Sequence, residues 1–162
     1  MILPEELENI AFLRNLGEPH LSRIALQAKL MEYAPGTPIF SEGQESPNIF
    51  FVLSGEIALS VKESNGQSVE VYTAQKGELI GWSPVLGRRS MTATAQAKTR
   101  SRLAVLDVVP ILEMCQTYPR FGLAFLQEIG LTLSDRLQAT RRRLAGVLRN
   151  RTPLASIVEG SD

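Results

Sequence analysis

Residues 76–97, KGELIGWSPVLGRRSMTATAQA, decide how the rest of the chain is read. Before them, turn residues cut the chain into short apolar runs. After them comes one more such run and then a long stretch without proline. Within the segment, Gly77 and Gly81 mark turns, Trp82-Ser83-Pro84 opens a short helix, and Thr92-Ala93-Thr94-Ala95-Gln96-Ala97 alternates as a strand does. A strand that stops, passes a helix start and resumes makes an anion pocket. The free N–H groups at the helix start point at the anion, and the helix dipole favours it.

Upstream, Ile57, Leu59 and Val61 alternate with small or polar residues, Asn65-Gly66 signals a hairpin, and Val69, Val71 and Thr73 form the returning strand. Ile49–Leu53 is a continuous apolar run of strand length, turned by Ser54-Gly55-Glu56. Pro35-Gly36 and residues 42–45 are turns on either side of a short strand, Pro38-Ile39-Phe40. Further back, Leu3, Leu7, Ile10 and Leu13 (or Phe12) give residues 4–13 one apolar stripe, which Gly17 ends. A second helix over about 18–30 carries Leu21, Ile24 and Leu26. Downstream, Leu103 and Val105 make a strand ended by Asp107, residues 108–116 a short helix entered through Pro110, and Tyr118-Pro119 a break. One long helix then runs over residues 120–149. Many short strands at even spacing predict an antiparallel sandwich or jelly roll.

The opening segment resembles the phosphate-binding cassette of cyclic nucleotide-binding domains, whose pattern is roughly F-G-E-x-A-L-x-x-x-x-P-R-x-A-T-V-x-A. Ile80-Gly81-Trp82 takes the place of F-G-E, Ser90-Met91 that of P-R, and Thr92–Ala97 that of the following strand. Trp82 and Met91 are nine positions apart, as the family's glutamate and arginine usually are. Gly36, Gly43, Gly55, Gly77 and Gly81 match its turn glycines, so the likeness covers about residues 15–140. The resemblance implies an α+β, mainly β fold: a double-stranded β-helix (jelly roll) of about eight strands, with N-terminal helices and a long C-terminal helix. It makes residues 1–149 one domain, with the roll at about 31–107 and C-terminal helices at about 108–149, and leaves 150–162 as a short tail.

The frame matches and the chemistry does not. The family's glutamate holds the ribose hydroxyl and its arginine pairs with the phosphate; here those places hold Trp82 and Met91. Each charge-assisted bond contributes about 1.5–3 kcal/mol, so losing both costs about 3–6 kcal/mol, or two to four decades of affinity. The candidate pocket positions are Gly81, Trp82, Ser83, Arg88, Arg89, Met91 and Thr92. Trp82 and Met91 either fill the vacated pocket with apolar bulk or line one for a flat ligand stacked on Trp82. Arg88 and Arg89 are solvated loop residues on one reading and replacement cations on the other. The expected function is a regulatory or protein-interaction module that does not take cyclic AMP or cyclic GMP in the family's usual way. The alternatives are a sensor using substitute pocket residues and a transcription-associated regulator lacking its own DNA-binding domain.

Leu126, Gly130, Leu133, Leu137, Thr140, Leu144 and Val147 step by fours and threes along the long helix, a period of 3.5. That marks a dimer seam, as the resemblance also implies, so a homodimer is expected. Arg136, Arg141, Arg142, Arg143, Arg149 and Arg151 make this helix basic, which suits either its dipole or an anionic partner. Nucleic acid is not expected, because the whole chain balances 17 basic against 17 acidic residues and TPLASIVEGSD after Arg151 is too short for a DNA-reading domain.

A hydrophobic content of 44% over 162 residues supports a globular core. The single cysteine, Cys115, excludes an internal disulfide and is expected to be packed, and the single histidine, His20, is expected to face solvent. No cofactor, metal or catalytic set is expected. The acidic MILPEELENI start lacks a signal-peptide pattern and no apolar run spans a bilayer, so the expected location is cytoplasmic.

Overall fold

The computed structural model describes residues 6, 7 and 10–151. The other residues of the expected first helix, 4, 5, 8 and 9, and the tail at 152–162 lie outside that set. Helices α1 (Ala11–Arg14) and α2 (Glu18–Gln27) precede the strands. These are β1 (Lys29–Tyr33), β2 (Pro38–Phe40), β3 (Asn48–Ser54), β4 (Ile57–Lys62), β5 (Ser68–Ala74), β6 (Leu79–Ile80), β7 (Thr94–Ala97) and β8 (Ser101–Asp107). A 3₁₀ turn at Ser83–Leu86 separates β6 from β7, and α3 (Val108–Thr117) and α4 (Pro119–Arg151) follow β8. The strands form two four-stranded sheets, ordered β1-β8-β3-β6 and β2-β7-β4-β5, with antiparallel pairings throughout. The expected α+β jelly roll, with helices at both ends, is the observed fold.

The first sheet is a wall between two cores. Successive strand residues point to opposite faces, so a strand covered on both sides must be apolar throughout. In β3, Ile49, Phe51 and Leu53 join an outer cluster with Leu13, Ile24, Ile111 and Phe125 of the helices. Phe50 and Val52 face the roll interior with Phe40, Ile57, Leu59 and Ala95. β8 divides the same way, Ala104 and Leu106 outward and Leu103 inward, and so do Leu79 and Ile80 of β6. The second sheet has one covered face, which explains the alternating pattern of β4.

Several local expectations fail for reasons of packing. The helix expected over 4–13 is broken at Ile10, whose backbone is extended (φ −85°, ψ 113°). Leu7, Ile10, Phe12, Leu13 and Leu16 are all buried, and the break turns more than one side of this segment to the core. The second helix stops at Gln27 rather than at 30, because Lys29–Tyr33 pair with Ser101–Val105 of β8. Leu26 is 84% exposed, and Ala25 and Ala28 lie inward in its place. On β5, Val69 is exposed, whereas Tyr72 and Ala74 pack on the inner cluster. A register shift between Leu59 and Ser60 resets which face each residue takes. The strand expected from Thr92 begins at Thr94.

Helix starts and stops follow local chemistry. The Asp107 side chain caps α3 by accepting from the Val109 N–H, with Pro110 in the first turn. Tyr118 ends α3 (φ −123°, ψ 87°) and Pro119 begins α4. The two helices meet at Gly122, where a Cβ would lie 2.7 Å from the Cys115 carbonyl oxygen. Among the described residues, no helix is long and apolar enough to cross a membrane.

Gly122 and Gly130 test this packing with opposite signs. Alanine favours a helix over glycine by about 1 kcal/mol, but an overpacked contact costs about 1–3 kcal/mol. Gly130→Ala, with nothing within 4 Å of its Cβ, should raise the urea midpoint, and Gly122→Ala should lower it.

Candidate functional site

The cassette begins where β6 ends against two aromatic rings. Gly81 has φ +73°, and a Cβ there would stand 2.9 Å from Phe50 Cδ2 and 3.3 Å from Phe40 Cε1. Glycine is therefore required twice, by conformation and by space. Trp82 caps the 3₁₀ turn, Val85 N–H donates to the Trp82 carbonyl at 3.0 Å, and Gly87 closes it in the left-handed region. The helix start expected from Trp-Ser-Pro is thus a single four-residue 3₁₀ turn, too short for an appreciable dipole. Beyond it the chain is tied to the 43–45 turn. Met91 N–H donates to Gln44 O at 2.9 Å, Gly43 N–H to Met91 O at 2.8 Å, and Ser90 bridges Glu45.

The sequence-predicted positions divide among several environments. Met91 is 2% exposed and sits in the inner cluster with Phe40, Phe50 and Ile57. Trp82 is half-buried and packs against the outer cluster. Trp82, Ser83, Arg88 and Thr92, with Leu86, line a cavity of about 270 Å³. Arg89 instead lines a wider groove of about 540 Å³ that Arg88 shares, alongside Glu45, Pro84 and Val108. Both arginines are exposed.

The residue that sequence reading misplaced is Arg136. In sequence it belongs to the basic stripe of the long helix, yet it is 8% exposed, and no other charged residue is buried among the described residues. Its guanidinium carbon lies 4.3 Å from the centroid of the Trp82 ring and 4.7 Å from that of Tyr72. Nη2 donates to the Leu79 carbonyl and lies 3.9 Å from Glu78 Oε1. Nε and Nη1 are buried without a hydrogen-bond partner. Burial pushes the guanidinium below its ordinary value, while the Glu78 charge pulls it up. Glu78 is itself held, accepting from Tyr72 O–H at 2.6 Å and from Gln75 N–H at 2.6 Å. The Tyr72 hydroxyl is pushed up to about 12 by burial first, then by its bond to Glu78. An arginine among arginines gave no sequence signal of this role, and the bulge beside β5 hid Tyr72.

The other candidates fall around this centre. Burial raises the half-buried Cys115 thiol, as packing would. His20 does not simply face solvent. Its ring lies 5.1 Å from Tyr118 and 4.8 Å from Phe121, and Nδ1 is buried without a partner. Arg23 Nη1 donates to Tyr118 O–H at 2.7 Å, so α2 grips the α3–α4 joint from two residues. Along α4, Leu126, Leu137, Leu144 and Val147 are exposed, with Gly130 and Thr140, while Leu133 packs on the chain's own outer cluster. Arg141, Arg142, Arg143 and Arg149 are exposed, and the Arg143 charge helps to lower Glu70 on β5, whose main cause is the bond from Thr73. Among the described residues no group of three metal-ligating side chains converges.

Comparison with known proteins agrees with this architecture. The sequence pattern of the cyclic nucleotide-binding domain matches residues 30–118. The HTH-type transcriptional regulator Cmr of Mycobacterium tuberculosis is 26% identical over 138 residues, 85% of this chain and 54% of the relative. A cAMP-dependent protein kinase regulatory subunit of Yarrowia lipolytica is 29% identical over 100 residues, 62% of this chain and 26% of the relative. The chain thus spans about half or less of these relatives. A solved structure described as a cyclic nucleotide-binding protein from Geobacter metallireducens superposes with TM-score 0.74 at 24% identity, covering 85% of this chain and 99% of that one.

The burial of Met91 sets a measurable cost. Met91→Ala should lower stability by about 2–5 kcal/mol and Met91→Leu by less than about 1.5 kcal/mol in urea unfolding. Equal small effects would mean that the side chain is not part of the interior.

Proposed function

The chain belongs to the cyclic nucleotide-binding domain family, and from that premise we propose that it is a regulatory or interaction module whose cassette does not hold cyclic AMP or cyclic GMP in the usual manner. The observation that carries this reading is Met91. It occupies the place matched to the phosphate-pairing arginine, carries no charge and no donor, and is only 2% exposed. Its backbone N–H is already given to Gln44. Trp82, in the place matched to the ribose-binding glutamate, lies under the Arg136 guanidinium. A ligand stacking on that face of Trp82 must first displace Arg136.

The output of the module is the position of α4. The Tyr118-Pro119 joint separates it from α3, and its exposed Leu126, Leu137, Leu144 and Val147 suit a second copy of the chain. The regulator and the kinase subunit named above are longer chains, and their names attach this type of domain to an effector. A partner carrying such an effector would read the helix of this chain.

A second reading has one specific observation behind it: Arg88 shares a cavity with Trp82, Ser83 and Thr92, where an anionic ligand would find a cation. Thermal unfolding with millimolar cyclic AMP or cyclic GMP separates the two. We expect no shift. A ligand at 100 times its Kd adds about 2.7 kcal/mol, several degrees for a domain of this size. Such a shift, lost in Arg88→Ala, would overturn the first reading in favour of the second. Light scattering tests the pairing: the wild type should be a dimer and Leu137→Glu with Leu144→Glu a monomer. A monomeric wild type would end the proposal of a homodimer.

A further inference from the structure

We propose that Tyr72, Trp82, Glu78 and the Leu79 carbonyl form a slot for a planar cation, and that Arg136 fills this slot as an internal latch seating α4 on the roll. The two rings face one guanidinium, at 4.7 and 4.3 Å from its central carbon. A planar, weakly hydrated cation between aromatic faces gains from both, and Arg fits such a slot where Lys does not. Every wall of the slot comes from the roll; only the occupant comes from the helix. Glu78 is fixed by Tyr72 O–H and Gln75 N–H, both of which belong to the roll and not to the helix. The slot is therefore a site in its own right.

The occupant is incompletely satisfied. Of its nitrogens, Nη2 bonds Leu79 O, while Nε and Nη1 are buried with no partner. Unpaired buried donors carry a desolvation cost that offsets part of the gain, so the latch is releasable. Beyond Arg136 the helix bears exposed Leu137, Leu144, Val147 and Leu148, so the slot controls where that apolar face points. A neighbouring groove of about 260 Å³ shares Glu78 and Leu79 and adds Glu128 and Asp135. Its carboxylates favour the approach of a cation. The competing ligand is accordingly an alkylguanidinium, as an arginine side chain of a partner presents. The proposal goes beyond the preceding reading and does not depend on whether a cyclic nucleotide binds.

Two measurements test it, with methylguanidinium as the probe. Hydrogen exchange of α4 amides from Ile129 onward should quicken about tenfold or more in Arg136→Ala, and nearly as much in Arg136→Lys, while β3 and β8 amides keep their protection. Unchanged α4 exchange would overturn the latch. Methylguanidinium, at concentrations far below denaturing ones, should raise the Tm of Arg136→Ala above that seen with equal sodium chloride. It should leave the wild type, whose slot is filled, unmoved. Equal responses to the two salts in Arg136→Ala would overturn the slot. If Arg136→Ala does not fold, Tyr72→Leu removes one face and should quicken the same amides; if it does not, the proposal fails.

Discussion

The structure depends on one wall. β3 and β8 must be apolar on both faces, because the roll interior lies on one side and the helices on the other. Each large side chain fully buried there contributes about 1.5–3 kcal/mol, and each strand supplies both cores from alternate residues. A one-residue slip of β3 would exchange Phe51 with Phe50 and misplace every neighbour at once. The helices cannot be regarded as decoration on a self-sufficient barrel, since Ile49, Phe51 and Leu106 would face water without them.

The wall also separates the two positions that the sequence aligns with the family's arginine and glutamate. They feed different cores: Met91 completes the interior, and Trp82 packs on the helix side. The outer side gains an aromatic face, and the long helix meets that face with a cation of its own. A neutral chain thus concentrates its one buried charge among the described residues at the contact between roll and helix.

Much of this was legible in the sequence. Apolar runs against alternating runs distinguished the wall from the open sheet, as Ile49–Leu53 and Ile57–Val61 show. The turn glycines and the nine-residue spacing of Trp82 and Met91 carried the resemblance to the family that the match over residues 30–118 shows. What was not legible depends on contacts distant in sequence. Nothing local distinguishes Arg136 from Arg141 or Arg142; only the position of Trp82 and Tyr72 in the folded roll does. The even alternation of Val69, Val71 and Thr73 does not show the register shift beside Leu59, which sets Tyr72 opposite Leu59 and Val69 opposite Val61. Lys29 and Leu30 look helical until β8 offers their backbone a ladder. His20 could not be placed without knowing that Tyr118 and Phe121 come to it.

The position of Trp82 has an optical consequence. It is the sole tryptophan in the chain, so the indole emission of the protein comes from one ring, and that ring lies 4.3 Å beneath a guanidinium carried by α4. Lifting the helix exchanges a charged, dry neighbour for water. The molecule therefore carries a native fluorophore at the junction of its two parts, and the colour and intensity of its emission follow the seating of α4 without any attached label.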